Sequence, residues 1–113
     1  MRWILRSKIH KAHVTEADIN YIGSISIDEE LIDQAGFWIG EKVLVVSNTT
    51  GMRLETYIIP AQKRSGSICM NGAAAHLIHV GEEIIVMGFE LSDHPLQPKN
   101  ILVDNKNKFV RFL

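Results

Sequence analysis

Apolar runs in this chain are short, and nearly every one is closed by glycine, asparagine, aspartate or proline. That spacing leaves little room for long helices and points to a small β-barrel or sandwich. Trp3-Ile4-Leu5 leads into Lys8 to Val14, where apolar and polar residues alternate with a period of two, as in a half-buried strand. Ile25-Ser26-Ile27 repeats the alternation. Glu41 to Val46 is a β-branched run suited to a strand buried on both faces. Asn48-Thr49-Thr50-Gly51 turns the chain into a second strand, Met52 to Ile59, which Pro60 is expected to close. Ser67 to Met70 and Glu83 to Leu91 read as further strands, and Gly88 inside the longer one marks a bulge or a close backbone contact. After a loop bracketed by Pro95 and Pro98, Asn100 to Val103 and Lys108 to Phe112 form a hairpin about Asp104–Asn107.

Helices have only two places to form. Asp28 can cap Glu29 to Ala35, which carries acids in its first turn and Gly36 as a C-terminal stop. Asn71 to Leu77 reads as a turn followed by one or two helical turns, ended near Gly81. No repeat or linker divides the 113 residues, a length sufficient for one apolar core. The expectation is a single, mainly β domain spanning 1–113.

Charge excludes several functions. Twelve basic residues against thirteen acidic ones leave a net charge of −1, and the basic residues are scattered, so neither nucleic acid nor an anionic membrane is an expected partner. No apolar run approaches the 18 or so residues that span a bilayer, and no secretory h-region follows Met1 to Arg6. Cys69 is the only cysteine, reads as a structural thiol in a buried strand, and has no disulfide partner or CxxC pattern. A cytoplasmic location is expected. Of His10, His13, His76, His79 and His94, only His76 and His79 are close, and no acid or thiol beside them completes a metal site. Walker, GxGxxG, HExxH and GxSxG motifs are absent.

Tyr21-Ile22-Gly23-Ser24 would pass for an ordinary turn in isolation. It lies, however, among segments that occur in one order at near-constant spacing. These are Lys8-Ile9-His10, Val14 to Ser24, Ile27-Asp28, Ala35-Gly36, Asn48-Thr49-Thr50-Gly51, Arg53 with Thr56-Tyr57, and Asn71-Gly72-Ala73-Ala74-Ala75-His76. Over about the first ninety residues the chain resembles the bacterial aspartate 1-decarboxylases. The resemblance implies a small closed six- or seven-stranded double-psi β-barrel with two or three short helices. It also implies a homotetramer with active sites between subunits, and it leaves room for a maturation factor.

It implies, too, a pyruvoyl enzyme that cuts itself between Gly23 and Ser24 into a short chain, 1–23, and a long chain, 24–113. The Ser24 hydroxyl attacks the Gly23 carbonyl, the amide becomes an ester, and β-elimination leaves a dehydroalanine that hydrolyses to the ketone. Glycine before the break suits strained angles and a close approach. By the same resemblance Thr56 stabilises the oxyanion. The ketone then forms a Schiff base with L-aspartate and withdraws electrons as CO₂ leaves, giving β-alanine for pantothenate biosynthesis. Tyr57 is implied as the proton donor. Arg53 would hold a substrate carboxylate through its planar fork. Lys8 and His10, two apart on a strand, face one side and suit an acidic ligand. Asn71, Gly72, Ala73 and Ala74 look like the substrate loop, where small side chains admit close contact and a helix start adds a favourable dipole. No metal is implied.

Two features depart from this picture. In a regular strand Arg53 and Tyr57 share one face and Thr56 takes the other, so Thr56 and Tyr57 need a bulge or twist to point the same way. Many relatives have a tryptophan where this chain has Val46, followed here by Ser47, which removes an aromatic wall expected near the substrate. The rival readings are a pyruvoyl decarboxylase for another small acidic amino acid, and an uncleaved barrel that only binds.

Overall fold

A computed structural model describes residues 1–113. The strands are β1 (Arg2–His13), β2 (Glu16–Asp18), β3 (Ser24–Asp28), β4 (Lys42–Ser47), β5 (Arg53–Ala61), β6 (Ile68–Asn71), β7 (Glu83–Ser92), β8 (Lys99–Val103) and β9 (Phe109–Phe112). Helix α1 (Glu29–Ala35) follows β3, and α2 (Ala74–Leu77) follows β6. The strand order is β2-β6-β3-β5-β4-β7-β1-β8-β9. Because β1 and β2 are one stretch of chain interrupted only at Val14–Thr15, the β2 end of that order returns to β1. The sheet therefore closes into a six-position ring, with β8 and β9 appended beside β1. Thr15 seals the junction, its backbone N–H reaching the Ile68 carbonyl at 2.8 Å. Parallel pairings of β2 with β6 and of β3 with β5, separated by the antiparallel β3–β6 pair, give the ring its double-psi crossing.

Closure removes the unpaired edges that a short sheet would otherwise expose. Inside lie Ile9, Ile25, Ile27, Ile58, Ile68, Met70, Ile84, Val86 and Ile101, all fully buried. Each contributes roughly 1.5–3 kcal/mol by leaving water. Asp28 caps α1 through the Glu30 amide and also accepts from the Arg64 and Gly66 amides at 2.9 Å. Gly36 ends that helix in the left-handed conformation. These boundaries match the sequence expectation residue for residue.

Elsewhere the packing overrides the local pattern. Pro60 does not close β5; it pairs with Ile27 inside the parallel β3–β5 contact, which runs on to Ala61. The alternation in β1 breaks at His10–Lys11, where Lys11 has a φ of 65° and two β1 residues oppose one of β7. That bulge shifts the inward parity from Ser7 and Ile9 to Ala12 and Val14. In β3 the alternation of Ile25, Ser26 and Ile27 holds, but Ser24 and Asp28 at its two ends are buried as well. Gly88 is a close contact, since a Cβ there would lie 2.6 Å from Phe37 and 2.8 Å from Arg6, the bulged residue opposite it. Cys69 is only partly buried.

Candidate active site

β3 and β6 bring Ser24 level with Asn71 and Ser26 level with Cys69. Ser24 is fully buried, and its hydroxyl donates to the Ile22 carbonyl at 2.9 Å. The same oxygen accepts from the Asn71 side-chain amide at 3.0 Å. Gly23, immediately before it, is exposed.

The glycine that the backbone demands is Gly72 rather than Gly23. Gly72 has a φ of +67°, and a Cβ on it would sit 2.8 Å from the Gly23 Cα and 3.1 Å from the Tyr21 carbonyl oxygen. Its N–H donates to the Asp18 carbonyl at 2.8 Å, which ties the 18–23 turn to the end of β6. Gly23 itself is outside the left-handed region, and a Cβ there would meet nothing within 4 Å. The expected strain at Gly23 is thus absent; the close approach comes from its neighbour across the turn.

A cleft of about 370 Å³ opens over this peptide, lined by Gly23, Ser24, Asn71, Ala73, Ala74 and Leu77 on one side and by Leu54, Glu55, Thr56 and Tyr57 on the other. Thr56 and Tyr57 both reach it without any register shift in β5. β4 pairs with Arg53–Tyr57, whereas β3 pairs only with Ile58–Ala61, so the cleft meets β5 along the edge that β3 leaves free. Residues from both faces of the strand can border a groove at such an edge. A larger cavity, about 630 Å³ and lined by Trp3, Lys42, Leu44 and Phe89 among others, contains none of the residues singled out from the sequence.

Other expected site residues stand apart from this cleft within the chain. Arg53 is exposed at the start of β5, paired with Val46, and does not border the cleft; nor does Val46, which is buried. Lys8 and His10 lie on β1, between β7 and β8, with β4 and β7 separating them from β5. His10 is held below the usual imidazole range by burial and by the charges of Lys8 and Lys11, with Glu83 opposing them. Its buried Nδ1 has no partner within the chain. α2 is a single turn without a side-chain cap, so the dipole expected from a helix at this point is small.

Two contributors escaped the sequence reading: Ser26 and Cys69, which contact the Asn71 amide. Outside the cleft, Glu82 ties Ser47 at the end of β4 to the His79 turn. Glu82 is buried, accepts from the Ser47 hydroxyl at 2.5 Å and from the His79 backbone at 2.8 Å, and lies 3.0 Å from His79 Nδ1. The period-two spacing of Ser24 with Ser26 and of Cys69 with Asn71 was a usable signal for the first two. Glu82 lies three residues beyond His79, a spacing that the turn before β7 brings into contact.

The aspartate decarboxylase family model matches residues 1–110. The aspartate 1-decarboxylase of Caldicellulosiruptor bescii is 51% identical over 96% of this chain and 88% of its own length. That of Bacillus velezensis is 47% identical over 99% of this chain and 91% of its own. That of Neisseria meningitidis is 48% identical over 95% and 87%.

Proposed function

Because this chain belongs to the aspartate decarboxylase family, we propose that it converts L-aspartate to β-alanine and CO₂ with a pyruvoyl group made from its own Ser24. The observation that carries this reading is the buried Ser24 hydroxyl, oriented by Asn71 beside an exposed Gly23 at the wall of a cleft that also holds Thr56 and Tyr57. The surroundings fit a small ketone at position 24. Ala73 and Ala74 leave space around it, and two hydroxyl groups border the same groove, while Gly72 packs behind the turn and does not line it.

In the uncut chain, Ser24 Oγ attacks the Gly23 carbonyl carbon. The peptide C–N bond breaks as the acyl group moves to oxygen, and the hydroxyl proton ends on the nitrogen. Thr56 donates to the oxygen that carries negative charge in the tetrahedral stage, where a preplaced donor acts most strongly. Loss of the Ser24 Cα proton then breaks the ester C–O bond, freeing the Gly23 carboxylate and leaving dehydroalanine. Water enters, ammonia leaves, and chains 1–23 and 24–113 stay associated through the barrel. The ketone supplies an electron sink for the bond to the departing carboxylate. Tyr57 delivers a proton to the carbon that CO₂ vacates.

One protomer supplies no cation to this cleft, yet aspartate brings two carboxylates. Lys8, His10 and Arg53 stand outside it, and the buried His10 Nδ1 lacks a partner. Trp3 and Trp38 are 70% and 79% exposed, an arrangement that favours burial against other copies of the chain. A homotetramer whose sites lie between subunits accounts for all three features, with the cations of one copy serving the ketone of another.

A substrate panel tests the reading. β-Alanine should form from L-aspartate faster than any product from other acidic amino acids, and Ser24→Ala should form none. A faster reaction with a different amino acid would reassign the substrate; activity in Ser24→Ala would refute the pyruvoyl mechanism.

A further inference from the structure

Four side chains on the outward face of β3 and β6 form a closed hydrogen-bonded group: Ser24 and Ser26 on one strand, Asn71 and Cys69 on the other. The Asn71 amide is at its centre and is 2% exposed. Its nitrogen donates to Ser24 Oγ at 3.0 Å and to Ser26 Oγ at 2.9 Å, which uses both of its hydrogens. Its oxygen accepts from the Cys69 thiol at 3.1 Å.

We propose that Cys69 and Ser26 are positioning residues for self-cleavage, holding the Asn71 amide in the one orientation that presents an N–H to the attacking hydroxyl. This rests on the pyruvoyl reading above. An asparagine amide can rotate by half a turn with little change in shape, so its neighbours must decide which end faces which group. Ser24 has already committed its hydrogen to the Ile22 carbonyl and offers only lone pairs to Asn71. A rotated amide would set its oxygen against those lone pairs and its NH₂ against the thiol hydrogen, losing contacts on both sides. Ser26 and Cys69 therefore act together, one as acceptor for the second N–H and one as donor to the oxygen.

The thiol can act as that donor only while protonated. Burial, and then the carboxylates of Glu16 and Asp18, push the Cys69 thiol up. These two acids come from β2, level with Cys69 and Asn71 in the parallel β2–β6 pair. The strand that completes the barrel thus helps keep the hydrogen in place.

The test follows conversion of freshly purified, uncut protein into two chains by intact mass, for the wild type and for Cys69→Ala, Cys69→Ser and Ser26→Ala. Cys69→Ala and Ser26→Ala should each slow conversion about tenfold, the scale of one lost orienting hydrogen bond. Cys69→Ser, which restores an O–H donor, should return the rate to within about threefold of wild type. The same substitutions placed in Ser24→Ala protein, which stays one chain, report folding separately, and their thermal midpoints should differ little. Equal rates for wild type and Cys69→Ala would overturn the inference alone, as would a Cys69→Ser protein as slow as Cys69→Ala. A wild type that never divides overturns both the inference and the reading beneath it.

Discussion

Asn71 and Ser24 oppose each other across the antiparallel β3–β6 pair, with the amide nitrogen 3.0 Å from the hydroxyl oxygen. The Ser24 hydroxyl, the nucleophile of the proposed cleavage, is therefore held by a residue forty-seven positions away on the neighbouring strand.

Replacing Asn71 by alanine should leave the buried Ser24 hydroxyl and the partly buried Ser26 hydroxyl without their donor. The expected cost is about 1–3 kcal/mol of stability, together with slower appearance of chains 1–23 and 24–113. Urea unfolding in Ser24→Ala protein measures the first effect, and intact mass over time measures the second.

Gly72 and Gly23 should respond very unequally to an added methyl group. Gly72→Ala forces a Cβ to 2.8 Å from the Gly23 Cα in a left-handed backbone, and should cost about 1–3 kcal/mol. Gly23→Ala meets open space and should change stability by less than about 0.5 kcal/mol. A thermal shift comparison of the two in uncleavable protein distinguishes them.

Glu82 should contribute stability that acid removes. Burial pushes its carboxyl up, but the Ser47 hydroxyl and the His79 backbone and ring outweigh that, so the folded state holds it below the ordinary 4.5. A folded value below the unfolded one stabilises the protein fully above the unfolded pKa, and the benefit fades as pH falls through the lowered value. Glu82→Gln should therefore be less stable than wild type near neutrality, and the gap should narrow below about pH 4.5. Denaturant midpoints at neutral and acidic pH read this directly.

Tyr57→Phe separates maturation from turnover. It keeps the ring at the cleft edge and removes only the phenolic hydroxyl, so self-cleavage should proceed while decarboxylation falls about a hundredfold or more. Arg53→Ala should also mature normally but raise KM for L-aspartate, the result expected of a residue that holds a substrate carboxylate for a neighbouring subunit in the proposed assembly. Steady-state kinetics on fully cleaved protein check both.

What could be read from the residues, and what could not, divides along the range of the interactions. Asp28, the helix it caps and Gly36 were legible because a cap, an acidic first turn and a left-handed stop are all local. That Ser24, Asn71, Ala73 and Ala74 face Thr56 and Tyr57 across one cleft could be expected only through family resemblance, since these residues meet through strand pairing far apart in sequence. The barrel's closure hid the rest. Pro60 continues a strand because its parallel neighbour does not need its missing N–H to keep the pairing with Ile27. The β1 bulge at Lys11 sets two β1 residues against one of β7, and no residue in Lys8–Val14 announces it. Ser26, Cys69 and Glu82 look like unremarkable polar residues until β6 and β7 set them against Asn71 and Ser47.

The decisive observation is an intact mass spectrum of the wild-type protein beside Ser24→Ala. The wild type should resolve into chains ending at Gly23 and beginning at position 24, the longer one lacking an amine at its start, while the alanine protein stays whole. A wild type that persists as one 113-residue chain with an unaltered serine, after prolonged incubation with its host's extract, would contradict the account.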